Sequence, residues 1–320
     1  MQNYNKIQQI LHDIVLKNSF INKSLFELEK IIFSKKKNIK YRTHIFITGL
    51  PRSGSTSILN FFYSLKEFGS LTYKNMPFIL SPNLSKLFNS KNIVKKERLH
   101  GDNINYDLNS PEAFDEIFFN NEINFLSKEL INYIELILLS ERKSKYLSKN
   151  NMNYKRINII SSILPNSLFL IPIREPIQQA YSLYKQHQKF TNIQKNNDFV
   201  RRYMNYLGHF EFGVDHKPWN KIVDFGNPNE HNYWLEQWYL FYTNIFKSYR
   251  NHQKCKFVDY SKLIDQNYVK TLLNWAKLEN LNLKKIDFFK NSYKKDLELK
   301  IDRSLYEKSK ELYLSFQHKD

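Results

Sequence analysis

The chain has 320 residues, 42% apolar and 16% aromatic, enough for one large core but not for two comfortable domains. Its formal charge of +18, from 49 Lys and Arg against 31 Asp and Glu, favours anionic partners, although a compositional bias of the genome explains the same balance. The single cysteine, Cys255, excludes an internal disulfide framework and points to a reducing compartment.

The opening MQNYNKIQQI lacks the basic-then-apolar pattern of a signal peptide. The most apolar stretch, Ile131 to Leu139, is too short to span a bilayer and contains Glu135. The expectation is a cytoplasmic protein without a transmembrane segment, with peripheral membrane contact left open. Residues 4–33 carry Ile7, Ile10, Leu11, Ile14 and Val15 at helical spacing, so residues 1–40 read as an N-terminal helical extension and 41–320 as the main domain.

The main domain opens with a short apolar strand at 44–48. A Gly/Ser-rich loop follows at 49–57, and Ile58, Leu59, Phe61, Phe62 and Leu65 then fall at helical spacing. Ser110-Pro111-Glu112 reads as a helix start: a capping serine, proline at the first position and an acid in the first turn. A second helix is expected at 122–141, a strand at 145–148 and a helix near 153–163. The run 167–173 is apolar throughout, as in a strand buried on both faces. Pro176 opens a helix to Lys189, an aromatic-rich helix covers 231–250, and 256–259 forms a last short strand. Strands alternating with helices predict an α/β protein with a mostly parallel sheet.

Gly49-x4-Gly54-Ser55-Thr56 has the spacing of a Walker A loop, with Ser55 where the lysine would stand. Glycines turn backbone N–H groups inward, and the following helix points its positive end at an anion. Ser53, Ser55, Thr56 and Ser57 add hydroxyls, and Arg52 supplies charge at the crest. The missing lysine, and Arg174 in place of an acid after the strand 167–173, argue against a Mg²⁺-dependent ATPase. They favour a ligand with one phosphate plus another anionic group, bound without metal. No Cys or His spacing suggests a metal site.

Arg174-Glu-Pro-x5-Ser182 follows the buried strand directly. Together with Gly-x-Pro-Arg-Ser-Gly-Ser-Thr at 49–56, it resembles the nucleotide-dependent sulfotransferase superfamily, in particular a bacterial branch with a PRSGST-type loop. The resemblance covers roughly residues 42–262. It implies a P-loop-like three-layer α/β/α sandwich. It further implies 3′-phosphoadenosine-5′-phosphosulfate (PAPS) as donor, PAP as product and no metal. Pro51 to Ser57 would then hold the 5′-phosphosulfate, and Arg174 and Ser182 the 3′-phosphate. Tyr260-Ser-Lys-Leu263 resembles the family's Tyr-Glu-Asp-Leu segment, with Ser261 in place of its acid; the glycine-rich clamp near the family's C-terminus is not evident.

Sulfonate transfer needs the acceptor, sulfur and leaving phosphate in line, fixed donors for spreading charge, and help from a base. Lys149 matches the lysine of the family's Lys-Thr-His segment, but Asn151 stands where the histidine would be. The tyrosylprotein branch places a glutamate about twenty residues past the loop arginine; here 71–77 contains no acid. His100, Asp102 and Glu112 are therefore the candidate bases, each equally readable as a surface, packing or helix-terminal residue.

His209 and Glu211, in a loop bracketed by Gly208 and Gly213, are candidate acceptor contacts, whereas Trp234 and Trp238 at i,i+4 read as packing. The acceptor, a hydroxyl or amine of a carbohydrate or small metabolite, is not legible. A non-catalytic nucleotide- or anionic-glycan-binding protein on the same fold is the alternative. An unusual P-loop kinase lacks its lysine and acid, and nucleic-acid binding rests on charge alone.

Overall fold

Side-chain alternation along the first strand sets the layers of the molecule. In the computed structural model, β1 (Ile45–Ile47) turns Ile45 and Ile47 to one face and Phe46 to the other. The structure describes residues 5–34, 38–88, 96–97, 105–121, 127–221, 224–278, 289 and 300–317.

Two helices, α1 (Lys6–Lys17) and α2 (Ser19–Phe33), precede β1. After β1 come α3 (Ser55–Ser64), β2 (Phe68–Gly69) and a short antiparallel ladder of β3 (Lys96–Glu97) with β4 (Asn105–Tyr106). The chain continues through α4 (Glu116–Asn120), α5 (Ser127–Glu141), β5 (Lys145–Lys149), α6 (Ile157–Ile163), β6 (Leu168–Ile173), α7 (Pro176–Asn196) and α8 (Asp198–Tyr206). It ends with α9 (His231–Tyr249), β7 (Cys255–Asp259), α10 (Gln266–Trp275) and α11 (Arg303–Gln317).

Five strands form one sheet in the order β2-β5-β1-β6-β7, and every pairing in it is parallel. The sheet predicted as mostly parallel is thus wholly so. Ile45 and Ile47 join Leu147, Leu170 and Val258 beneath α3 and α10, with Ile58, Phe62, Leu272 and Leu273 completing that layer. Phe46 stacks on Phe169 at 5.5 Å and meets Tyr146 edge-on at 5.9 Å, on the face covered by α5, α9 and α11. This is a three-layer α/β/α sandwich.

Because β5 and β6 lie on opposite sides of β1, the strand order reverses there. The crevice at the carboxyl ends of these strands is where ligands settle in open α/β sheets. A buried histidine fixes the start of β1. His44 Nε2 donates to the Ile39 carbonyl at 3.0 Å, and Nδ1 accepts the Tyr146 N–H at 2.9 Å. Burial lowers its pKa to about 4, so the ring is neutral at physiological pH.

One expected element differs. Ser110-Pro111-Glu112 does not open a helix. The Ser110 hydroxyl is drawn into a turn with Asp107, Pro111 bridges Thr72, and the Tyr73 N–H donates to the Ser110 carbonyl. The helix α4 begins only at Glu116. Trp234 and Trp238 are fully buried, as the packing reading expected. Among the described residues no helix is long and apolar enough to cross a membrane.

Candidate functional site

Past β1 the chain turns through a loop into α3. Gly54 has φ +92°, and a Cβ there would fall 2.0 Å from Cδ2 of the Tyr260 ring, so only glycine fits. Arg52, at the crest, takes a left-handed φ of 65°, a conformation that costs a non-glycine residue energy and clusters at functional sites. The Ser53 hydroxyl is buried and donates to the Leu50 carbonyl at 2.8 Å, so it braces the loop. No side chain caps the first turn of α3, where Ser55, Thr56 and Ser57 stand.

The loop is held from behind. Gln179 Nε2, on α7, donates to the Pro51 carbonyl at 3.0 Å, and Gln179 Oε1 accepts from Trp238 Nε1 at 3.0 Å. Tyr242 OH donates to the Pro172 carbonyl at 2.7 Å, at the end of β6. All three side chains are fully buried.

β6 delivers Arg174 to the same edge. Glu175 caps α7 by accepting the Gln178 N–H at 2.7 Å, and Pro176 sits in the first turn, as its sequence position suggested. Two turns into α7, the Ser182 hydroxyl accepts from Arg52 Nε at 3.0 Å. The Arg174 guanidinium lies 5.9 Å from the centre of the Tyr260 ring. The two sequence motifs therefore meet through side chains, with Tyr260 spanning Gly54 and Arg174.

A narrow cleft, open to solvent on one side, lies in front of the loop. Pro51, Arg52, Ser55 and Thr56 form one wall, and Lys149 and Glu112 face them. Lys149 Nζ is 3.9 Å from Glu112 Oε1. The Glu112 carboxylate also accepts from Tyr73 OH at 2.9 Å and from the Ala113 N–H at 2.9 Å. His209, Glu211, Asn151 and Gln186 add to the polar lining, and Phe190, Met204 and Phe212 form an apolar side. His209 Nε2 donates to the Ala113 carbonyl at 3.3 Å, which leaves Nδ1 as the unprotonated nitrogen. Crowding by protein lowers the imidazole pKa, Glu211 opposes this and Lys149 adds to it. Glu211 accepts from Asn151 Nδ2 at 2.9 Å.

The sequence profile of the Sulfotransferase family matches residues 44–218, a span that contains both motifs, Lys149 and His209. The chain belongs to the sulfotransferase family. Among solved structures, sulfotransferase STF1 from Mycobacterium tuberculosis H37Rv superposes with a TM-score of 0.52 at 11% identity, over 89% of this chain and 79% of that one. Sulfotransferase STF9 from Mycobacterium avium gives 0.45 at 12% identity, over 87% and 74% of the two chains. A sulfotransferase from Alicyclobacillus acidocaldarius gives 0.38 at 10% identity, over 87% and 92%. The first of these similarities speaks to the fold. A search of curated proteins found no match.

The cleft gathers Pro51, Arg52, Ser55, Thr56, Glu112, Lys149, His209 and Glu211 from among the residues singled out in the sequence. Arg174, Ser182 and Tyr260 flank the loop that forms its wall. His100 and Asp102 lie outside the described residues.

Glu112 reaches the cleft by long-range pairing of its segment with 71–74, including its own N–H to the Leu71 carbonyl at 3.1 Å. Tyr73, in the stretch 71–77 that carries no acid, thus donates to a carboxylate distant in the chain. Sequence reasoning missed Gln186, Phe190, Met204 and Phe212 as lining residues. Phe190 and Met204 sit at ordinary helical core positions, Gln186 is one polar side chain on a helix face and Phe212 one aromatic in a loop, so none carries a signal that separates a cleft wall from a core. Among the described residues, no group of three His, Cys, Asp or Glu is placed to hold a metal ion.

Proposed function

We propose that this sulfotransferase moves a sulfonate from PAPS to a hydroxyl or amine of its acceptor. The observation that carries this reading is the hydrogen bond from Arg52 to Ser182. It joins the two anion-binding motifs on one side of the sheet, at the carboxyl ends of adjacent strands, as one doubly phosphorylated nucleoside requires. The close approach of Tyr260 to Gly54 fits the same demand, since it sets an aromatic face beside the loop.

PAPS would supply an activated sulfonate and a phosphate leaving group. Residues 51–57 would hold its 5′ end through loop N–H groups and hydroxyls, and Arg174 and Ser182 would hold the 3′-phosphate. Arg52 and Lys149 meet the negative charge that builds as the bond from sulfur to the leaving phosphate breaks. Glu112, already accepting from Tyr73 and Ala113, orients Lys149 rather than serving as the base. The acceptor's proton goes to His209 Nδ1 as the new bond to sulfur forms, a role the hydrogen bond to Ala113 prepares by fixing the tautomer.

Calorimetry with PAP, with and without Mg²⁺, tests the donor before any acceptor is known. Binding that is indifferent to Mg²⁺ is expected. Absence of PAP binding, or tight Mg²⁺-dependent ATP binding instead, overturns the reading.

A further inference from the structure

We infer that the outer face of α1 and α2 docks on an anionic lipid surface, an attachment independent of the chemistry in the cleft. Both helices are apolar on two sides. On α1, His12, Val15 and Leu16 face the protein, where the helix packs on α8 and Asp13 meets Arg202 at 3.1 Å. On the opposite side Ile7, Ile10 and Ile14, spaced i, i+3, i+7, are 78%, 57% and 52% exposed. On α2, Phe26 and Glu29 face inward, while Phe20 and Ile31 are 76% and 81% exposed. Seven of the thirteen exposed large apolar side chains among the described residues lie on these two short helices. Scattered surface leucines need no explanation, but such a concentration does.

Charge selects the occupant. Each acid of these helices is already matched. Asp13 pairs with Arg202, Glu27 with Lys30 at 2.6 Å, and the buried Glu29 accepts from Asn83 and the Leu84 N–H. Lys6, Lys17 and Lys23 have no matching acid among the described residues, so the rim of the apolar face is positive. Ile10, Ile14 and Ile21 line an open groove between the helices, with Lys17 beside them. Apolar side chains sunk at the acyl boundary, with lysines level with phosphate headgroups, is the arrangement of an interfacial helix. A second copy of the chain on this face would bring both sets of lysines together. The family match begins at residue 44, after α2, so this face lies outside the segment that carries the two motifs.

The test is flotation of the full chain with phosphatidylcholine vesicles, with and without phosphatidylserine, at low and high salt. Binding to the serine-containing vesicles, weakened by salt, is expected. The variants Ile7→Ser/Ile10→Ser/Ile14→Ser and Lys6→Gln/Lys17→Gln/Lys23→Gln should each reduce it by about tenfold or more. Circular dichroism of each variant checks that the fold is kept. No flotation, or flotation unaltered in the isoleucine variant, overturns the proposal. Concentration-dependent dimers that the isoleucine variant abolishes would assign the face to a second copy instead.

Discussion

Arg52 Nε and Ser182 Oγ lie 3.0 Å apart, so the crest of the first loop is tied to the helix behind the second motif. If one nucleotide bridges these motifs, Arg52→Ala and Arg174→Ala should each lower turnover by about a hundredfold or more. Ser182→Ala should cost PAP affinity less, and combined with Arg52→Ala its effect should be less than additive. Calorimetry and initial rates on the single and double variants check this; independent, additive losses would separate the motifs.

Gly54→Ala is expected to abolish PAP binding while leaving the fold largely intact. The new methyl collides with the Tyr260 ring and the left-handed φ disfavours any side chain, so loop and ring must part. Thermal unfolding should shift modestly while calorimetry shows no PAP binding. Normal affinity in this variant would remove Tyr260 from the site.

With an acceptor in hand, His209→Gln should lower kcat by on the order of a hundredfold to ten-thousandfold and leave PAP affinity unchanged. Because crowding holds the imidazole below its ordinary value, the wild-type rate should keep its plateau to lower pH than a free histidine would allow. That acid limb should vanish in the variant. Transfer that survives His209→Gln but is lost in His100→Ala would move the base to His100.

His44 gives a stability prediction with a definite sign. Its folded pKa of about 4 lies below the unfolded value of 6.5, so its contribution is complete above pH 6.5 and is lost as pH falls toward 4. The stability advantage of wild type over His44→Gln should therefore shrink by roughly 3 kcal/mol between pH 7 and pH 4. Urea titrations at the two pH values measure it, and a constant difference would contradict the buried neutral ring.

What could be read from the sequence was what is encoded locally. The strand 167–173 announces itself because both its faces are buried, and the loop at 49–57 because Gly49 and Gly54 take backbone angles that favour glycine. Pro176 marks the start of α7 because proline suits a first helical turn, while the capping by Glu175 is visible only in the structure. Glu112 was found as a candidate but with the wrong local structure. Its segment satisfies its backbone by pairing with residues 71–74, and no local pattern distinguishes that from a capped helix. His209 and Glu211 were marked by the flanking glycines. Gly208 approaches α4 so closely that a Cβ would fall 2.4 Å from Asn120 Nδ2, and this brings His209 to the Ala113 carbonyl. The direction of that approach is a tertiary fact.

The buried amide of Gln179 has a mechanical consequence. Since it is gripped by Trp238 and in turn grips Pro51, the aromatic helix α9 works as a backstop for the loop through an intervening amide. A phosphate arriving at Arg52 would meet a receptor already set rather than one it must mould. Loosening Trp238 should therefore be felt first as a softer grip on the donor.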